Sequence, residues 1–173
     1  MHPAIIDIEA SGFGSQSYPI EIGLILSSGE KFCFLIKPAV DWIHWNNEAE
    51  KLHLIDQKML KIHGDSLENV ARSLNYILKN KVVYSDGWVV DQPWLIKLFH
   101  TAGILQQFMI SPLESILSEA QMNIWHETKI EVLEQLNISR HRASNDAKII
   151  QETYCRTYNI IQQGRAKKKP NTL

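Results

Sequence analysis

The sequence predicts an α/β domain built on one five-stranded mixed sheet with helices on both faces. Three observations carry that prediction. The first forty residues hold three apolar, β-branched stretches separated by turn residues. Later stretches repeat their apolar residues at helical spacing, and two short strand-like runs lie between them. At 173 residues, 45% of them hydrophobic, the chain is long enough to bury the core that one such domain needs.

The elements follow in order. Pro3 to Glu9 is the first strand, and Ser11 to Ser17 is a polar, glycine-containing loop. Pro19 to Leu26 is the second strand, Ser28-Gly29 a hairpin turn, and Lys31 to Ile36 the third strand. Pro38 to Asp65 is a long connection with a short helical piece from Asp56 to Ile62; its length makes it a candidate substrate wall. From Ser66, the residues Leu67, Val70, Leu74 and Ile77 repeat at helical spacing, and Lys81 to Tyr84 is the fourth strand. Asp91-Gln92-Pro93 opens the next helix, because proline is tolerated in a first turn, and Gly103 ends it. Gln107 to Ile110 is the fifth strand, with Pro112 fixing its exit. Ser115 to Leu136 is mostly helical, and Asn145 to Ile161 is the final helix. Residues 1–163 form the domain, and from Gly164 onward the lysine-rich tail is expected to be mobile.

Composition narrows the function classes. A net charge of −1 and a pI near 6.7 provide no global positive field, so any nucleic-acid binding must rest on metal ions and local basic patches. Cys33 and Cys155 stand far apart without metal-ligand neighbours, which fits free thiols in a reducing cytoplasm. No stretch is long and apolar enough to span a bilayer, so a cytoplasmic protein without membrane contact is expected.

The chemistry concentrates in five residues. Strand alternation puts Asp7 and Glu9 on one face while Ile8 points to the other. Asp91 stands at a helix start, and His141-x4-Asp146 leads into the final helix. Carboxylates that converge in a fold need a counter-charge, and a divalent cation is the usual one. Asp86, beside Gly87 at a strand end, rivals Asp91 for the middle position.

These acids, their order and the segment Arg142-Ala143-Ser144-Asn145-Asp146-Ala147 resemble the DnaQ-like 3′–5′ exonucleases of the DEDDh type, in the ribonuclease-H-like superfamily. The resemblance spans roughly residues 4–155 and implies a ribonuclease-H-like fold with the first strand at the centre of the sheet. It further implies two Mg²⁺ or Mn²⁺ ions: Asp7, Glu9 and Asp146 would hold one, and Asp7 with Asp91 the other. His141 would act as the general base, since its ordinary pKa suits proton acceptance at neutral pH. The pattern D-x-E-x-x-G-F, ending in Gly12-Phe13, is similar to that of ribonuclease T. It implies Phe13 stacking on a 3′-terminal base and backbone contacts from Ala10 and Ser11 to the terminal sugar. Small Ala143 and Ala147 would let the last helix lie close to the sheet, and His53 is a candidate substrate contact. The implied partner is a single-stranded 3′ end of DNA or RNA, and relatives are often dimers, which leaves a homodimer open.

Plainer readings stand beside these. Trp42, Trp45, Trp88 and Trp94 are expected as packing anchors. His44, His63, His100 and His126 are expected at surfaces, Glu127, Glu131 and Glu134 on a solvated helix face, and Glu21 as a charge at a strand surface. Two alternatives to the polymer exonuclease remain: a non-catalytic module binding nucleic acid or protein on the same fold, and a hydrolase of nucleotides or dinucleotides.

Overall fold

A strand that reads Ile-Ile-Asp-Ile-Glu-Ala must be covered on both faces, and β1 (Ile5–Ala10) accordingly lies at the centre of the sheet. The computed structural model describes residues 2–167. On one side β1 pairs antiparallel with β2 (Pro19–Ile25), which pairs antiparallel with β3 (Lys31–Leu35). On the other side it pairs parallel with β4 (Val82–Ser85), which pairs parallel with β5 (Met109–Pro112). The order β3-β2-β1-β4-β5 is the mixed five-stranded sheet expected from the sequence.

Helices cover both faces. α3 (Leu67–Leu78) and α4 (Trp88–Thr101) enclose the larger core, where Ile6, Ile8, Ile22, Leu24 and Val83 meet Leu74, Leu95 and Leu98. α6 (Ala143–Lys167) packs on the opposite face, where Ile5 and Ile25 meet Ala147, Ile150 and Tyr154, and α5 (Glu119–Leu136) packs against α6. The alternation of β1 thus assigns Ile6 and Ile8 to one core, and turns Asp7 and Glu9 to the α6 side with Ile5.

Several boundaries differ from expectation. α1 (Asn47–His53) lies within the long connection ahead of α2 (Gln57–His63); Asn46 caps it by accepting from the Glu48 and Ala49 amides. α4 starts three residues before Asp91: the Val90 and Asp91 amides both reach the Gly87 carbonyl, at 2.9 and 3.0 Å. Pro93 is therefore inside the helix rather than in its first turn. The β-branched pair Val89-Val90, poor helix formers, hid that start. β5 is shifted two residues toward Pro112, which an edge strand tolerates. Ser118 and Gln121 form a capping box that separates α5 from a short 3₁₀ turn at Leu113–Ile116. α6 begins at Ala143 and stays helical to Lys167; the rest of the expected tail, residues 168–173, lies outside the described residues.

Candidate active site

The carboxylates converge at the end of β1. Asp7 and Glu9 come from that strand, Asp146 from the first turn of α6, and Asp91 from the first turns of α4. Asp146 Oδ2 accepts the His141 backbone N–H at 2.7 Å, and His141 itself adopts a left-handed φ of 60°. Donor atoms of Glu9, His141 and Asp146 all lie within 4.8 Å of one another. Asp91 is buried, accepts the Ser85 hydroxyl, and lines with Asp7, Glu9 and His141 a cleft of about 250 Å³. Asp86 lines an adjoining cleft with Asp7, Glu9, His141 and Asp146, and it is paired with Lys129 at 2.9 Å. Both rivals for the middle position therefore face the centre: Asp91 from the buried side, Asp86 from the open side.

Burial, reinforced for three of the four acids by neighbouring carboxylates, disfavours their charged forms. Burial, followed by repulsion from Asp91, Asp146, Glu9 and Asp86, raises the Asp7 carboxyl well above the usual aspartate range. Burial and then Asp146 and Glu21 push Glu9 up to about 7. Burial likewise pushes Asp91 up to about 7 against the opposing Ser85 hydrogen bond. Asp146 is also raised by burial, partly offset by the His141 amide. Four acids disfavoured as anions, gathered around a single imidazole, form a donor set suited to a hard divalent cation.

The residues after the acid pair divide into two roles. Phe13 is 74% exposed, lines the cleft and stands 6.3 Å from the Trp94 ring. Ala10 and Gly12 also line the cleft. Ser11 is buried; its N–H donates to the Tyr18 carbonyl, its C=O accepts from Asn46, and its hydroxyl meets Tyr18 N and His44 Nδ1. The Ser11 amide, expected to contact a terminal sugar, donates to the Tyr18 carbonyl, and the residue helps to scaffold the loop. His44, expected as a plain surface residue, shares that scaffold. Gly12 has a φ of 141°, and a Cβ there would come 2.7 Å from Asn46 Cβ, so only glycine lets the two loops meet. Trp94 Nε1–H donates to Ser17 at 2.8 Å, and Lys97 donates to the Ser17 carbonyl at 2.7 Å, which ties the loop to α4.

His53 is 3% exposed and lines the same cleft beside Ala49 and Leu52. Its Nδ1 accepts the Ile55 amide at 3.1 Å, so in the neutral ring the proton is on Nε2, which has no partner among the described residues. Burial lowers its pKa and favours that neutral ring. Trp42 and Trp94 are buried packing residues, as expected.

Glu21 is the residue the sequence misplaces. It is fully buried rather than at a strand surface, directly across the ladder from Glu9. Its carboxylate accepts Arg142 Nε at 3.0 Å, an Arg142 terminal nitrogen at 2.6 Å and the Ala143 amide at 2.8 Å. It thereby ties the start of α6, between His141 and Asp146, to β2.

This sheet order, with helices on both faces and acids gathered at the end of the central strand, defines the class: an α/β protein of ribonuclease-H-like fold. Solved structures of that shape include Escherichia coli exonuclease I in complex with a dA16 oligonucleotide. It matches with a TM-score of 0.61 and 15% identity over 84% of this chain and 38% of that chain. The zinc-ion-bound form of the E. coli exonuclease I–ssDNA complex gives 0.64 and 15%, over 94% and 41% respectively. Exonuclease I from Methylocaldum szegediense gives 0.56 and 13%, over 74% and 30%. The chain thus spans 30–41% of the length of these exonucleases, and at such identity the likeness establishes the fold. No protein-family model matches the chain, and no curated protein matches it.

Proposed function

We propose that the protein is a metal-dependent 3′–5′ exonuclease of the DnaQ-like DEDDh type, acting on single-stranded DNA, RNA or short oligonucleotides. The observation that carries this reading is the Glu9–His141–Asp146 cluster, with donor atoms within 4.8 Å of one another. Asp7, Glu9 and Asp146 would hold one Mg²⁺ or Mn²⁺, and Asp7 with Asp91 a second. When bound, such ions offset the charge of the scissile phosphate. His141 accepts the proton of the attacking water, held in place by its own amide on Asp146. Phe13 offers its exposed face to the 3′-terminal base, with Ala49 and Leu52 on the same cleft. The unpaired His53 Nε2–H suits a sugar hydroxyl, and the backbone at Ala10 and Gly12 borders the same space.

Every member of the set comes from one chain, so the reading does not need a homodimer. Among the described residues no helix is long and apolar enough to cross a membrane. With Cys33 and Cys155 both free, we place the protein in the reducing cytoplasm. A non-catalytic binding module is the second reading, but it leaves the retention of all five chemical groups without a reason.

The test is hydrolysis of 5′-labelled single-stranded DNA and RNA of matched sequence, with Mg²⁺ or Mn²⁺ and with EDTA, for wild type and Asp7→Ala. The expected result is a metal-dependent ladder that shortens from the 3′ end and is absent in the variant. Equal cleavage by the folded variant would sink the assignment.

A further inference from the structure

The acidic centre is shared by two clefts of opposite character. Both contain Asp7, Ile8, Glu9 and His141. One continues past Phe13, Ala49, Leu52 and Trp94, an apolar wall suited to a nucleoside. The other, of about 200 Å³, continues past Asp86, Lys129, Arg140 and Asp146, and its only carbon-rich side chains are Ile8 and Ile150. Lys129 comes from the middle of α5, and Arg140 from the connection into α6.

The two cations are lightly held. The Lys129–Asp86 pair is partly exposed on both sides, and a pair of that kind contributes only about 0–1 kcal/mol. Arg140 reaches Asp146 only at 3.9 Å, its side chain is 54% exposed, and it makes no side-chain hydrogen bond among the described residues. Arg142 provides the contrast: its Nε and one terminal nitrogen both donate to buried Glu21, at 3.0 and 2.6 Å. The left-handed turn at His141 separates the two arginines and leaves Arg140 facing the polar cleft.

We infer that Lys129 and Arg140 form a phosphate subsite in the polar cleft, one that binds the phosphate next to the scissile one in the 5′ direction. The inference rests on the nuclease reading for the direction of the strand. The anion itself is argued from the cations alone: two weakly committed donors flank a polar groove in a chain whose net charge provides no general attraction. An internal phosphodiester and a 5′-terminal phosphate share that chemistry.

The test is binding, read by fluorescence anisotropy in Asp7→Asn protein, with labelled thymidine oligomers: TpT, pTpT and TpTpT. Each is titrated at several salt concentrations, with and without Lys129→Ala/Arg140→Ala. The second phosphate should tighten binding about tenfold at low salt, and the double variant should abolish that increase. The slope of log affinity against log salt should fall by about 0.7 for each phosphate that is no longer neutralised. Lys129→Arg should retain most of the increase. If the double variant abolishes it for pTpT and TpTpT alike, the subsite belongs to the strand backbone; if for pTpT alone, it belongs to a terminal phosphate. An unchanged increase and slope in the double variant would overturn the subsite. Salt-dependent binding that persists where wild-type protein hydrolyses no oligomer would sink the nuclease reading and leave the subsite standing.

Discussion

Gly23 lies opposite Asp7 in the β1–β2 ladder, and a Cβ there would sit 2.0 Å from the carbonyl carbon of Ala143. The start of α6 therefore rests directly on the sheet, backbone against backbone, beside the first catalytic candidate. Any side chain at position 23 must push back the helix that carries Asp146 and the turn that carries His141. Gly23→Ala is expected to abolish hydrolysis and to destabilise the fold by about 1–3 kcal/mol, the usual cost of overpacking. Gly164→Ala, at an open helical position with nothing within 4 Å of the added carbon, should leave thermal unfolding unchanged or slightly raised.

Glu21 fixes the same junction by charge. Its buried carboxylate is satisfied by Arg142 and the Ala143 amide, so removing either side chain leaves an uncompensated group. Loss of one partner of a buried pair costs about 3–5 kcal/mol, and because Arg142 is 40% exposed the lower end applies. Urea unfolding of Arg142→Ala should show that loss. Glu21→Gln, which keeps shape and one acceptor, should lose less stability yet still lower turnover. Unaltered turnover in Glu21→Gln would reduce this residue to a packing role.

The raised carboxyls make stability depend on pH with a definite sign. In the unfolded chain these groups titrate at about 4, whereas Glu9 and Asp91 titrate at about 7 in the fold and Asp7 and Asp146 are raised as well. Between those values the native state binds more protons than the unfolded one, so stability falls as pH rises. In EDTA, the melting temperature should drop between pH 5 and pH 8. Mg²⁺ or Mn²⁺ should restore it at pH 8 and do little at pH 5, where protons compete for the ligands. Asp7→Asn should flatten the EDTA profile; a profile that rises toward pH 8 would contradict the burial and mutual repulsion of these acids.

Asp91 and Asp86 separate by their surroundings. Asp91 is 3% exposed and hydrogen-bonded by Ser85, and it contributes the largest charge effect on Asp7; Asp86 is partly exposed and makes a partly exposed pair with Lys129. Asp91→Ala should eliminate both hydrolysis and the metal-induced rise in melting temperature. Asp86→Ala should retain both, with activity reduced by less than about tenfold, since it breaks only a partly exposed pair. The reverse pattern, measured on the two variants side by side, would transfer the ligand role to Asp86.

What could be read from the sequence follows the range of the interactions. Alternation along Ile5–Ala10 is a local code, and it turned Asp7 and Glu9 to one face before any partner was known. Ser66 likewise marked the start of α3 through a cap a few residues away. Glu21 was misread because its partner Arg142 stands 121 residues further on, and no local pattern distinguishes a buried acid from an exposed one at a strand start. Gly23 carries no local signal of the α6 backbone that rests on it, because that contact comes from 120 residues further on. The start of α4 was hidden for a different reason: tertiary packing of Trp88 and Val90 outweighs the weak helix propensity of that stretch.

His141 offers the sharpest division between base and ligand, because its donor atom lies within 4.8 Å of both Glu9 and Asp146. Its left-handed backbone limits the choice of variant: alanine would add strain at φ 60°, whereas asparagine adopts that conformation readily. His141→Asn should therefore keep the amide bond to Asp146 and the approach of Arg140 and Arg142 on either side. If the imidazole serves as general base, turnover should fall by about a hundredfold to ten-thousandfold while calorimetry shows Mn²⁺ affinity little changed. If the imidazole instead holds a cation, Mn²⁺ affinity should fall together with turnover, and excess metal should restore part of the rate. The two results exclude each other, so a single variant measured by kinetics and by calorimetry decides which role the histidine has.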